Sequence, residues 1–169
     1  MAKMFLMCGC SGAGKTTFAK AFAERNNLLY LGVDEFYAKI NGDECLHINF
    51  FEVWIEYFKA IHEAEINNID CVVDTNSITF CHREQFIEWF PSFEHHLICI
   101  DADYELRMKN NQARRRQVPE EAMRAMSQRF QYPYDGTENK KWKTIRYFLN
   151  TDNKLRGPEF WRGEKDEYC

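Results

Sequence analysis

Residues 9–16 read Gly-Cys-Ser-Gly-Ala-Gly-Lys-Thr. This is the spacing G-x-x-x-x-G-K-[ST], in which backbone amides and a lysine cradle the phosphates of a nucleotide. Gly9, Gly12 and Gly14 let the chain bend so that N–H groups, including those of Ser11 and Ala13, point at phosphate oxygens. The helix that follows aims its positive end at the same place. Lys15 is placed to reach the β- and γ-phosphates of ATP and Thr16 to put its hydroxyl on Mg²⁺, while Thr17 suits either a contact to the α-phosphate or a plain helix position. The loop alone does not separate motors and switches from kinases, so the rest of the chemistry must come from downstream.

Three downstream segments carry it. In Val-Asp-Glu-Phe-Tyr, Asp34 follows an apolar run that predicts a strand, at the edge where α/β sheets hold ligands. A carboxylate there can orient an acceptor hydroxyl and take its proton, or it can cap the helix that begins with Glu35. In Val-Val-Asp-Thr-Asn, Asp74 ends another apolar run and suits an acceptor-site or outer-shell Mg²⁺ contact, with an ordinary loop or capping role as the competing reading. Asp101 ends a third run in the same way, and there the sequence favours a cap for the helix after it. The run Arg114-Arg115-Arg116 cannot face one way on a helix. It fits a lid over the triphosphate, where an arginine would neutralise charge growing on the transferred group.

The elements needed to position these groups are legible. Met4–Cys8 reads as a buried strand, and Lys15–Asn26 as the helix after the loop. Strands are predicted at 28–33, 70–74, 95–101 and 143–149, and an amphipathic helix at 50–66 from apolar residues 51, 54, 55, 58 and 61. A helix over 80–90 is stopped by Pro91. Another opens at Pro119, with acids in its first turn. Strands alternating with helices predict an α/β sheet with crossover connections. The expectation is a single domain over 1–169, with a lid over about 104–131 and an irregular tail over about 150–169 punctuated by Gly157-Pro158 and Gly163.

Net charge is −4, so no global basic footprint points to nucleic acid, although 104–116 is locally basic. No apolar run is long enough to span a membrane. Seven cysteines without a C-x-x-C pair predict reduced thiols, no disulfides, no structural metal and a cytoplasmic setting. The five histidines lack metal-ligand spacing and read as structural or surface residues. Tyr132, Tyr134, Trp142 and Trp161 lie beside basic residues, where they suit either base stacking or packing of the tail. The chain lacks both a hydrophobic run ending in Asp-Glu and a guanine-reading Asn-Lys-x-Asp, which weighs against a hydrolytic switch.

Taken in order, GCSGAGKTTFAKAF, VDEFY, VVDTN with HREQF, and RRRQVPEEAMRAM resemble the polynucleotide 5′-hydroxyl kinase family, within the zeta-toxin-like phosphate-loop kinases, over about residues 3–135. The resemblance implies a three-layer α/β/α fold with parallel strands ordered 2-3-1-4-5 and an arginine-rich helical lid. It implies ATP with Mg²⁺ as donor and the 5′-OH end of a nucleic acid as acceptor. By position, Asp34 matches the general base, and Asp74, with Asn76 of the same step, matches the acceptor site. Arg114 matches the lid arginine, and Arg115 and Arg116 are alternatives because the register is loose. The family's basic residue after the acid pair is missing here, and Lys39 is a displaced candidate. No phosphatase motif follows, so a bifunctional end-healing enzyme is not expected. Other members of the fold phosphorylate nucleotides, sugars and modified bases, and that alternative stays open.

Overall fold

In the computed structural model, burial on both faces explains why the first strand forms where it does. Met4, Leu6 and Cys8 of β1 (Lys3–Cys8) point to one face of the sheet, while Phe5 and Met7 point to the other. A strand buried on both faces reads as a continuous apolar run, and this is the pattern of a parallel sheet covered by helices on both sides. The structure describes residues 1–43, 45, 48–133 and 141–162, with side chains through 158.

The remaining elements are α1 (Lys15–Asn26), β2 (Leu29–Gly32), α2 (Val33–Asn41), α3 (Phe50–Ile66), β3 (Cys71–Asp74), α4 (Phe80–Trp89), β4 (Glu94–Ala102), α5 (Tyr104–Gln112), α6 (Glu120–Arg129), β5 (Thr144–Thr151) and β6 (Lys154–Arg162). The sheet order is β2-β3-β1-β4-β5-β6. The first five strands run parallel, as the order 2-3-1-4-5 requires, and β6 adds an antiparallel edge to β5. Tyr57, Ile61 and Ala64 of α3 pack with Phe86 and Ile87 of α4 on one face. Ala19, Phe22 and Ala23 of α1 pack with Leu106 of α5 on the other. The result is the three-layer α/β/α P-loop kinase fold.

Several expectations need correction. Residues 154–162 of the tail form β6, because the backbone of β5 offers an edge and the chain turns back at Asp152-Asn153, both at positive φ. The second strand stops at Gly32, and Val33 already belongs to α2. Asp101 does not cap α5. It lies within β4 and accepts from the Tyr147 hydroxyl at 2.6 Å, while Asp103 caps α5 by accepting from Leu106 N–H at 2.7 Å. Trp142 is not a base-stacking group: it is buried in the core against His95, with ring centroids 6.0 Å apart. Tyr132 is exposed against Phe130, whereas Tyr134 and the side chain of Trp161 lie outside the described residues. Arg107 and Arg146 are also buried, so part of the basic charge read from sequence never reaches the surface. Among the described residues the cysteines are all free, and no helix is long and apolar enough to cross a membrane.

Two predictions follow from the packing. Trp142→Ala should cost about 3–5 kcal/mol in urea unfolding, as for other buried aromatics, whereas a surface stacking residue would cost almost nothing. His95 is buried, and this lowers its imidazole pKa from 6.5 to about 4, against the carbonyls of Phe90 and Phe86, which act to raise it. A histidine held neutral in the fold binds its proton more readily when unfolded. Stability should therefore be complete above pH 6.5 and fall as pH drops toward 4, by about 3 kcal/mol in all. His95→Gln should flatten this part of the pH–stability curve.

Candidate active site

The loop between β1 and α1 holds its shape because its glycines occupy space and torsions that no side chain tolerates. Gly9 has φ 138°, and a Cβ there would sit 2.1 Å from the Ile100 carbonyl oxygen. Gly12 has φ 82°, and a Cβ would meet the Arg107 carbonyl oxygen at 2.4 Å. The loop is also tied to three separate elements. Gly9 N–H donates to the Asn76 carbonyl after β3 at 3.1 Å. The Asn110 amide on α5 donates to the Gly12 carbonyl at 2.9 Å, and the Asn150 amide on β5 donates to the Ala13 carbonyl at 2.9 Å. Gly14, at φ 100°, then occupies the cap position of α1.

Lys15 is 6% exposed and donates through Nζ to the Cys10 carbonyl at 3.0 Å. Burial lowers its pKa. The Asp74 carboxylate opposes that shift and Arg114 adds to it. Lys15 thus waits, partly desolvated, beside one acid and one arginine.

Lys15 lines a cavity of about 520 Å³ with Ser11 of the loop, Thr16 and Thr17 of α1, Asp34 of α2, and Asp74 and Asn76 at and just after the end of β3. Arg114, Arg115 and Arg116, all on the connection between α5 and α6, line the same cavity. Residues separated by more than 100 positions in sequence therefore meet in one space. Lys39 is not among them: it lies exposed on the outer side of α2, where its charge acts on Glu56.

The Asp-Glu pair is split by helix geometry. Both residues lie in the first turn of α2, where the helix dipole favours acids, and the cap position belongs to Gly32, so Asp34 is not the cap. Asp34 turns into the cavity, and its Oδ1 accepts from Arg116 Nη1 at 2.5 Å. Glu35 turns away and pairs with Lys20 of α1 at 2.8 Å. Arg115 spans to Asp43 at 2.7 Å.

Asp74 is also no cap; Thr79 caps α4, accepting from His82 N–H at 3.3 Å. Asp74 is 6% exposed, and its Oδ2 accepts from the Tyr30 hydroxyl at 2.9 Å. Burial first, and then this carboxylate, push the Tyr30 phenol well above its ordinary pKa, so Tyr30 remains a donor. Beneath, the buried Arg83 of α4 donates to the Ser77 carbonyl at 3.1 Å, bracing the turn whose Asn76 carbonyl receives Gly9. Thr16 and Asp74 offer the cavity a hydroxyl and a carboxylate. Such hard oxygen donors suit Mg²⁺ bridged largely by nucleotide phosphates.

Sequence reasoning missed Tyr30, Arg83, Asn110 and Asn150, together with the cavity wall of Tyr37, Phe50 and Trp54. Asn150 had a signal, being a polar residue at the ligand edge of a predicted strand. The others become visible only when distant elements are packed together.

The fold recurs in solved structures at low sequence identity. A sugar kinase from Janibacter sp. superimposes with a TM-score of 0.64 at 14% identity, over 88% of this chain and 86% of that one. A gluconokinase from Sinorhizobium meliloti gives 0.59 at 14% identity, over 88% and 82%. A chain of the Pnkp1/Rnl/Hen1 RNA repair complex gives 0.67 at 16% identity, over 76% of this chain but 43% of that one. No curated protein matches the sequence.

If the Lys15 ammonium is stripped of water in the free protein, a triphosphate should restore its charge and draw a proton from solvent. Calorimetric titrations with ATP at a series of pH values below 10.5, in buffers of different ionisation enthalpy, should show proton uptake that grows toward the alkaline end, and the uptake should vanish in Lys15→Met. Buffer-independent heats would show that Lys15 keeps its proton throughout. The loop, the carboxylates and the arginine connection all fall within residues 4–133, the span matched by the sequence model of the AAA domain family, and the chain belongs to that family.

Proposed function

We propose that the protein is an ATP-dependent phosphotransferase that moves the γ-phosphate to the 5′-OH of a polynucleotide. The observation that carries this reading is the Asp34 carboxylate. It shares one cavity with Lys15 and Thr16 and is held there by an arginine of the connection above. A nucleotide hydrolase also uses a polar side chain to orient its water, but the hydrophobic run ending in Asp-Glu that carries one in hydrolytic switches is missing from this sequence. A carboxylate facing the phosphate site suits an acceptor hydroxyl, whose proton it can take as the new O–P bond forms.

The groups divide by role. Loop amides and Lys15 hold the β- and γ-phosphates, and Thr17 lies toward the α-phosphate. Thr16 would hold Mg²⁺, which would supply charge neutralisation to the phosphates. Arg114 acts on the Lys15 ammonium in the free protein and turns to the γ-phosphate when the nucleotide enters. Arg116 exchanges its carboxylate for a phosphate, which frees Asp34 to accept the hydroxyl proton. Asp74, fixed by Tyr30, and Asn76 shape the acceptor side. The likeness to the RNA repair chain and the order of sequence motifs support a nucleic-acid end as acceptor.

A second reading, transfer to a nucleotide, sugar or other small molecule, is favoured by one observation. Lys39 lies outside the cavity, and Arg115 and Arg116 pair with acids, so a phosphate backbone would have to displace Asp43 or Asp34 to be gripped there. The sugar kinase neighbours fit it as well.

A screen of labelled γ-phosphate transfer over 5′-OH DNA, 5′-OH RNA, nucleosides and sugars decides between the two. Transfer to oligonucleotides should exceed transfer to nucleosides and weaken as salt rises, because phosphate contacts release counterions. A salt-independent preference for a free nucleoside or sugar would establish the second reading. Asp34→Asn should abolish transfer while leaving ATP affinity within a few-fold of the parent protein; an active variant would rule out Asp34 as base.

A further inference from the structure

The cavity wall opposite the phosphate loop differs in kind from the rest of the site. Asp34 and Tyr37 stand one turn apart on α2, so they share a face. Phe50 and Trp54 stand one turn apart on α3, and all four line the cavity. Tyr37 and Trp54 are anchored: Tyr37 is 3% exposed, and Trp54 packs against the core, edge-on to Tyr57 with centroids 5.6 Å apart. Phe50 is not. It is 52% exposed, lies outside both core clusters, and its ring meets those of Trp54 at 5.9 Å and the still more exposed Phe51 at 5.7 Å. A large apolar ring left half in water, on the lining of a reaction cavity, is a surface that a ligand can cover at a gain.

The charges narrow what that ligand is. The acceptor side presents Asp34 and Asp74, and its neighbouring arginines 115 and 116 are bound to acids. Lys15 and Arg114 also line the cavity, but in the proposed reaction the donor phosphates take them, so an acceptor whose reacting end is anionic, such as a sugar acid, would meet carboxylates and rings. A neutral planar group carrying a hydroxyl on a saturated ring would put the hydroxyl at Asp34 and the plane on the aromatic wall. Nucleosides have this form, and every base has a π-face to stack.

We infer that Phe50 and Trp54 form a stacking subsite for the nucleobase attached to the reacting sugar, so that the acceptor is recognised as a nucleoside unit. This rests on the proposed function for the transfer itself and adds what selects the acceptor. The base could belong to a polynucleotide end or to a free nucleoside, and the experiment separates them.

Two arms are needed. In the first, KM is measured for a 5′-OH thymidylate pentamer and for the same pentamer with an abasic tetrahydrofuran residue at its 5′ end. The abasic end should raise KM about tenfold in the parent protein, the scale of one lost base–aromatic stack. Phe50→Leu, which keeps an apolar side chain but removes the ring, should raise KM for the normal pentamer and leave the abasic value where it was; Phe50→Tyr should restore the preference. Equal KM for the two pentamers in the parent protein overturns the inference. In the second arm, no turnover is required. Thymidine, and separately a thymidylate dinucleotide, are titrated while following the fluorescence that Trp54→Leu removes. Saturable quenching by either, lost in Phe50→Leu, supports the subsite even if no oligonucleotide is phosphorylated, in which case the polynucleotide reading alone falls. Unchanged emission with both overturns the subsite.

Discussion

The fold is arranged around a loop that has to expose its amides to a ligand while its other surface is packed. Gly9 lies against the Ile100 carbonyl and Gly12 against the Arg107 carbonyl, so the loop has no room to relax backward. The Cys10 carbonyl takes the Lys15 ammonium and the Ala13 N–H from within the motif, and two others are satisfied from outside: Asn110 serves Gly12 and Asn150 serves Ala13. Buried carbonyls left unpaired would be costly, and the two outside donors come from different parts of the molecule. The sheet order places β4 and β5 on one side of β1 and β3 on the other, which is what lets α5, β5 and the β3–α4 turn all reach one loop.

The cavity above the loop is lined by Lys15 and three arginines against Asp34 and Asp74, an excess of positive charge that suits a triphosphate. Arg116 with Asp34 and Arg115 with Asp43 tie the α5–α6 connection across the cleft. The members of these pairs are substantially solvent-exposed apart from Arg116 and Asp43, and partners of this kind contribute little to stability and exchange readily. Such pairs suit a site that must open, because a phosphate offers an arginine a stronger bidentate partner than a single exposed carboxylate does. Lys15 and Asp74, by contrast, are buried, and their geometry is set by the sheet and by Tyr30 rather than by mobile side chains.

The sequence was most legible where a local rule and a long-range one coincide. The glycine spacing, the strand before it and the helix after it gave the loop its place, and the strands at 70–74 and 95–101 appeared nearly where they lie. It was least legible where the choice depended on a partner. Asp101 and Asp103 are both plausible caps by type; Tyr147, from a strand more than 40 residues later, decides that Asp101 faces the sheet. Trp142 sits in a basic stretch, and only the space beside His95 makes it core. The final strand has Gly157-Pro158 within it, a pair that argues against a strand interior, yet an edge strand accommodates it.

By itself, then, the sequence determined that a triphosphate-cradling loop opens an α/β chain, and that two carboxylates and an arginine run lie at intervals downstream. These follow from backbone torsion and hydrophobic period, which are properties of short segments. Only the tertiary structure decided which acid of the Asp34-Glu35 pair enters the cavity, which arginine meets it, that Lys39 stays outside, and that rings of α2 and α3 wall the acceptor side. The reason is physical: a side chain's role there depends on what stands opposite it, and the opposing groups come from chain segments brought together only when the sheet closes its two cores.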